Sequence, residues 1–288
     1  MPPPARSIPP RTETVARQRL DHVLVARGLV ESRTQAGEAI EAGRVLVGGA
    51  VADKASRQVA PSDPIEILGS GPRFVSRGGH KLQAALDQFD IDVSERTAVD
   101  AGSATGGFTD CLLQAGAHRV LAVDVGYGQI HERLLHDPRV VSLERTNIRS
   151  LDRLQAASLL APNPAPTIVS ADLSFTSLEP LLATLLEISG PSGDVLALCK
   201  PQFEVGREVA ARGKGVIRER SDRRRALDGL VGAADALGAA IMGVVSSPIL
   251  GPAGNAEFVL HIQCNRAMDS ATVATMLESA LDVAETLS

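Results

Sequence analysis

Four charged residues stand at the ends of apolar runs in this chain, and their types could move a proton. Lys200 follows the run 195–199, Asp172 follows 167–171, and Glu257 precedes 258–262. Lys81 opens a segment with helical spacing that reaches Phe89. A charge at the end of a buried strand is costly to desolvate unless it is paired or used. Two amines and two carboxylates on one edge could hold a hydroxyl, orient its oxygen and help its proton leave. In an open α/β sheet the carboxyl ends of the strands are the ligand side, which is where Asp172 and Lys200 would lie. Glu257 joins them if its strand runs antiparallel to the rest. The competing reading makes each of the four a separate surface charge.

A second set of residues would hold a ligand beside them. The run Val99-Asp100-Ala101-Gly102-Ser103-Ala104-Thr105-Gly106-Gly107-Phe108 is a strand ending on an acid, a loop of small residues and a helix start. Glycine lets the backbone approach a ligand closely, and the free N–H groups of the helix start face an anionic group. The spacing is not the G-x-G-x-x-G of dinucleotide sites. It resembles the S-adenosylmethionine loop of Rossmann-like methyltransferases. Asp124, 24 residues after Asp100, ends the next apolar run, where an acid can accept both hydroxyls of a ribose. The competing reading is a glycine-rich turn with no ligand.

Strands are predicted over 98–100, 120–124, 140–143, 167–171, 195–199, 241–246 and 258–262. Helices are predicted near 107–115, 129–135, 151–160, 178–188, 222–239 and 270–286. That alternation predicts an α/β fold with a mostly parallel, doubly wound sheet. No long helix separates the last two strands, so they should pair antiparallel. Residues 1–15, with five prolines, read as a disordered tail; 16–68 as a small α+β domain; 69–76 as a linker; and 77–288 as the larger domain. In the small domain, Leu20, Val23 and Leu24 lie on one helix. Ser32 and Gln35 form a capping box for a second, and Gly48-Gly49 turns a hairpin.

The formal net charge is −5, but residues 1–80 carry +3 and residues 81–288 carry −8. A basic front on an acidic body suits a polyanionic partner. The segment 207–225 adds eight Lys/Arg against three Asp/Glu, either a mobile loop that clamps the phosphates of such a partner or a solvated helix start. With no Trp, one Tyr and six Phe, recognition of a partner's shape and backbone is expected over stacking on bases. Three dispersed cysteines suit a reduced, cytoplasmic protein. The uncharged stretch 236–251 is too short and too rich in Gly, Ser and Pro for a membrane span, and no metal-ligand spacing is evident.

The front module, through Arg19-Leu20-Asp21, Ser32-Arg33-Thr34-Gln35-Ala36 and Gly43-Arg44-Val45-Leu46-Val47-Gly48-Gly49, is similar to the RNA-binding domain named after ribosomal protein S-four. The resemblance implies phosphate contacts from Arg17, Arg19, Arg33, Arg44 and Lys54, with protein docking as the alternative use. The chain from about 16 to 265 resembles the TlyA-type proteins, named both as haemolysins and as ribosomal RNA 2′-O-methyltransferases. It does so through Ser76-Arg77-Gly78-Gly79-His80-Lys81-Leu82, Asp124-Val125-Gly126-Tyr127-Gly128-Gln129, Ala171-Asp172-Leu173-Ser174-Phe175, Lys200-Pro201-Gln202-Phe203-Glu204 and Gly254-Asn255-Ala256-Glu257. Phe74 stands where relatives often carry Trp.

The larger domain is also similar to the FtsJ group of RNA ribose methyltransferases. That resemblance implies a catalytic set of Lys81, Asp172, Lys200 and Glu257. It also implies S-adenosylmethionine held by Gly102, Ser103, Ala104, Thr105, Gly106, Gly107 and Phe108, by Asp124 with Val125, by Asn147 at the adenine edge, and by Asp172. Asn147 could equally be a turn residue. The implied substrate is a ribose, cytidine by resemblance, in rRNA or assembled ribosomal subunits. The alternatives are a membrane-active haemolysin and a non-catalytic RNA-binding protein.

Overall fold

The computed structural model describes residues 17–41, 43–52, 54–69 and 73–287. The expected tail 1–15 lies outside them. The chain divides between Arg73 and Phe74 into two compact units.

The first unit contains β1 (Gln18–Arg19), α1 (Leu20–Ala26), α2 (Arg33–Glu41), β2 (Val45–Val47), β3 (Ala50–Val51), β4 (Gln58–Val59) and β5 (Ile65–Ile67). The Gly48-Gly49 turn joins β2 and β3 as an antiparallel hairpin, with both glycines at positive φ. β5 pairs along the other side of β2. The two-residue β1 pairs with β4, which periodicity over so few residues could not announce. Leu20, Val23, Leu24, Ala36, Ala39 and Ile40 from the helices meet Val45 and Val47 in a core of their own.

The second unit opens with α3 (Gly78–Phe89) and continues β6 (Thr97–Ala101), α4 (Gly107–Gln114), β7 (Arg119–Val123), α5 (Glu132–Leu135), β8 (Val140–Leu143), α6 (Arg153–Leu160) and β9 (Ile168–Ala171). Next come α7 (Leu182–Ser189), β10 (Asp194–Cys199), α8 (Pro201–Glu204), α9 (Arg207–Arg212), α10 (Arg220–Ala236), β11 (Ala239–Ser246), β12 (Phe258–Cys264) and α11 (Ser270–Thr286). The seven strands are ordered β11-β12-β10-β9-β6-β7-β8. β12 runs antiparallel between β10 and β11, and the other pairings are parallel. The uncharged stretch 236–251 is therefore largely an edge strand. No helix among the described residues is long and apolar enough to cross a membrane.

The pleat divides the core between two faces. Val99, Leu121, Val169, Val195 and Ala197 point to one face, covered by α6, α7, α10 and α11. Their neighbours Ala98, Val120, Ile168, Leu196 and Leu198 point to the other, covered by α3 and α4. Successive strands leave β6 in opposite directions, to β7 on one side and to β9 on the other. A crevice therefore opens above their carboxyl ends.

Phe74 and Val75, within the stretch read as linker, belong to the second unit. Phe74 is buried in the core beneath α3, and the Val75 N–H donates to Asp110 Oδ2 at 2.8 Å. A methyl on Gly79 would lie 2.5 Å from Phe74 Cβ. Gly79→Ala is therefore expected to overpack this contact, costing about 1–3 kcal/mol. Denaturant unfolding should show the loss, whereas Gly229→Ala, at a helical position open to solvent, should show none.

Candidate active site

The structure brings the four charged residues to one edge and sorts them into pairs. Lys81 enters from the first turn of α3, where Leu82, Ala85 and Leu86 pin the helix to the sheet. Its ammonium donates to Glu257 Oε2 at 2.5 Å, and both side chains are buried. A methyl on Gly251 would meet the Glu257 carboxyl carbon at 2.9 Å, so the loop before β12 can pass only as bare backbone. Lys200 follows β10, where Pro201 begins α8. Its ammonium lies 2.6 Å from Asp172 Oδ1 and donates to Ser174 Oγ at 2.8 Å. The Asp172 contact misses the angles of a hydrogen bond, and Oδ1, buried, receives no directed donor.

Two observations join the pairs. Cys199 faces Phe258 across β10 and β12, so one further step of the antiparallel register sets Lys200 opposite Glu257. A methyl on Gly78, three residues before Lys81, would lie 3.8 Å from Asp172 Oδ2. Each lysine thus has one carboxylate within ion-pair distance.

Asp172 also faces a cavity of about 490 Å³ over the carboxyl ends of β6, β7 and β9, a volume that suits a small molecule. Gly102, Ala104, Asp124, Val125 and Asn147 line it as well. A methyl on Gly102, at φ 82°, would sit 2.7 Å from the Asp172 carbonyl oxygen. Asp124 Oδ2 accepts from the Ala104 N–H at 2.8 Å, and Oδ1 from the Gly126 N–H at 2.6 Å. Each oxygen keeps lone-pair capacity for a ligand hydroxyl. Asn147 caps the 3-10 turn Ile148–Ser150, its side chain accepting from the Arg149 N–H at 3.0 Å. It is therefore a turn residue as well as a wall residue.

Ser103, Thr105, Gly106, Gly107 and Phe108 are not in the cavity wall. Phe108 is core beneath α3, and Gly106, at φ 94°, packs against Leu134. The wall also holds residues to which the sequence reading gave no role, among them Gln129, Thr146, Leu173 and Phe175. Phe175 is 92% exposed at φ 64° and lies 5.7 Å from the Phe203 ring. Glu204 fixes this loop by accepting from Ser177 Oγ and the Leu178 N–H, at 2.6 and 2.9 Å. A cavity of about 500 Å³ between α10 and α11 is lined by none of the four charged residues.

In the first unit, Asp21 is buried between Arg19 and Arg33, at 3.0 and 2.9 Å. The Arg19 hydrogen bonds, with those of Arg33, hold its carboxyl well below the usual range against the effect of burial. These two expected phosphate contacts are thus tethered. Arg17 and Lys54 are exposed and Arg44 half-buried.

Asp100 lies fully buried beneath the cavity, accepting from Thr109 Oγ1 at 2.6 Å and Ser170 Oγ at 3.0 Å. Burial lifts its carboxyl to about 6 despite those bonds, and the Asp172 charge adds to the rise. The folded state thus binds this proton more tightly than the unfolded chain, and stability falls as pH climbs through the interval. Asp100→Asn cannot ionise. Its unfolding free energy relative to the native chain should rise by about 2 kcal/mol between pH 4 and pH 7, read by denaturant unfolding. A flat difference would overturn this account of Asp100.

A profile of the FtsJ-like methyltransferase family matches residues 74–264, and one of the S4 domain matches 18–65. The chain is 42% identical over 257 residues to the 16S/23S rRNA (cytidine-2′-O)-methyltransferase TlyA of Mycobacterium tuberculosis, covering 88% of this chain and 93% of that one. It is 33% identical over 243 residues to Hemolysin A of Brachyspira hyodysenteriae, covering 84% and 98%. A solved structure named as a haemolysin from Streptococcus thermophilus aligns with TM-score 0.71 at 35% identity, covering 95% of this chain and 98% of that one. With its seven-stranded sheet, lysine–carboxylate pairs and leading S4 domain, the chain belongs to the FtsJ-like methyltransferases, among the TlyA-type members that two naming traditions share.

Proposed function

We propose that this protein transfers a methyl group from S-adenosylmethionine to a ribose 2′-oxygen in ribosomal RNA, at cytidine, as the name of the Mycobacterium tuberculosis relative states for that enzyme. The observation that carries the reading is the placement of Asp172, which lines the ligand cavity while contacting the ammonium of Lys200.

The cavity fits the methyl donor on chemical grounds. Asp124 offers both carboxylate oxygens to a vicinal diol, and Gly102 leaves room for a ligand chain against the backbone. Asn147 and the apolar wall around Leu173 and Ile148 suit a nucleobase. When bound, S-adenosylmethionine supplies an electrophilic methyl on sulfur, so the protein's task is alignment and proton removal.

Lys200 holds the 2′-oxygen by hydrogen bond, and the hydroxyl proton passes to solvent as the oxygen is methylated. Asp172 and Ser174 fix the direction of its ammonium. Lys81, held by Glu257, adds positive charge along the same edge and favours an oxygen losing its proton. Phe175 presents an open ring face on which the target base can stack, a role that aromatic scarcity had argued against. Arg17, Arg44 and Lys54 of the S4 domain remain as phosphate contacts, with Arg19 and Arg33 shaping that surface through Asp21.

Incubation with labelled methyl donor and either naked rRNA or assembled subunits, followed by mapping of the modified nucleotide, tests the reading. Label in protein or lipid and none in rRNA would end it. Lys200→Ala should lower methyl transfer by about 10²- to 10⁴-fold while donor binding by calorimetry changes little. Asp124→Asn should do the reverse in kind, weakening donor binding by about tenfold or more through the lost charge-assisted bonds.

A further inference from the structure

The cationic stretch that follows the catalytic lysine resolves into two populations. Arg220 is engaged by Glu278, Asp282 and Glu285 of α11, and Arg224 by Asp228 and Glu278. Arg225 pairs with Asp222, and Arg223 is buried, donating to the Ile217 carbonyl at 3.0 Å. These four belong to the packing of α10. Among the described residues, Arg207, Arg212, Lys214 and Arg218 have no ion pair or side-chain hydrogen bond, and all four are exposed. Within 207–218 only Glu208 opposes them, in a chain whose net charge is −5.

The segment that carries these cations is fixed at both ends to catalytic elements. It starts seven residues after Lys200, beyond the Glu204 anchor. Its far end is held by Asn255, two residues before Glu257 and 1% exposed. Asn255 Oδ1 accepts from the Ile217 N–H and Nδ2 donates to the Gly215 carbonyl, both at 2.8 Å. Between these anchors lies a tight turn, with Lys214 at φ 52° and Gly215 at φ 84°. A side chain on Gly213 would strike the Val216 carbonyl. A loop that only needed to be soluble would not require a buried amide committed at both ends.

We propose that residues 207–218 form a phosphate-binding arm that grips the RNA backbone beside the reacting ribose, with Asn255 holding the arm in register with Glu257. The inference rests on the reading of the site as an RNA methyltransferase. A ribose delivered to Lys200 brings a phosphate on each side, and the four cations begin seven residues after Lys200 on a segment anchored two residues before Glu257. No large apolar side chain of the segment is exposed, which separates it from a membrane-surface helix.

The test is the salt dependence of rRNA binding. Each phosphate contact contributes about 0.7 to 0.9 to the slope of log K against log salt concentration. The variant Arg207→Gln, Arg212→Gln, Lys214→Gln, Arg218→Gln should therefore show a slope shallower by about three. A partner variant with the three arginines replaced by lysine should keep the native slope. Donor binding should be unchanged in both, which confirms folding around the cavity. An unchanged slope in the glutamine variant overturns the arm, whatever the enzyme's activity. Failure of the native protein to methylate rRNA overturns the function it rests on, and the two results are read from separate assays.

Discussion

Lys81, Lys200 and Glu257 are taken out of water at one edge of the sheet, with Asp172 half-buried beside them, and that desolvation constrains the rest of the second unit. A buried ion pair is poor evidence for added stability, because desolvation offsets its attraction. Removing one partner, by contrast, strands a charge and costs about 3–5 kcal/mol. Lys81 and Glu257 are 176 residues apart in sequence, yet they must close to hydrogen-bonding distance. The helix before the first strand and the last strand of the sheet are therefore tied to the same point. The apolar face of α3 against the sheet, with Phe74 beneath it, is what holds Lys81 there. Gly251 shows the same pressure from the other side, since the backbone passes the Glu257 carboxylate with no room for a side chain.

What sequence could reveal follows from this arrangement. The strands are short apolar runs, and a charge that ends such a run is visible in one dimension. Asp172 and Lys200 were therefore legible as strand ends, and Glu257 as the residue before an antiparallel strand. The Asp124 position was legible for the same reason, lying one strand beyond the glycine loop. The pairing of each acid with its lysine depends on cross-strand register and on where α3 crosses the sheet. The glycine loop divides its work. Gly102 and Ala104 reach the cavity, whereas Gly106, Gly107 and Phe108 serve the packing of α4. Glycine signals a close approach, but not whether the approaching group is a ligand or a neighbouring side chain.

The residues to which the sequence reading gave no role act through tertiary partners. Phe175 lies four residues past the strand predicted over 167–171. Its left-handed backbone turns the ring into solvent. Glu204 looks like one more charge after Lys200, yet it anchors the loop that carries Phe175. In the S4 domain, Asp21 looks like an ordinary first-turn acid, yet its burial between Arg19 and Arg33 ties two expected RNA contacts to one internal carboxylate. Side-chain hydrogen bonds between distant segments leave no period in the sequence, so a reading based on spacing has nothing to detect.

The cavity and the lysines are joined through Asp172 alone among the four charged residues. Its carbonyl bounds the space beside Gly102, its carboxylate meets Lys200, and its neighbour Ser174 accepts the Lys200 hydrogen bond. A ligand that pressed on the 172–174 backbone would therefore move both groups that aim the ammonium. In this arrangement the cavity and the lysine edge are not independent modules placed side by side, because both are built on the short stretch of backbone that leaves β9.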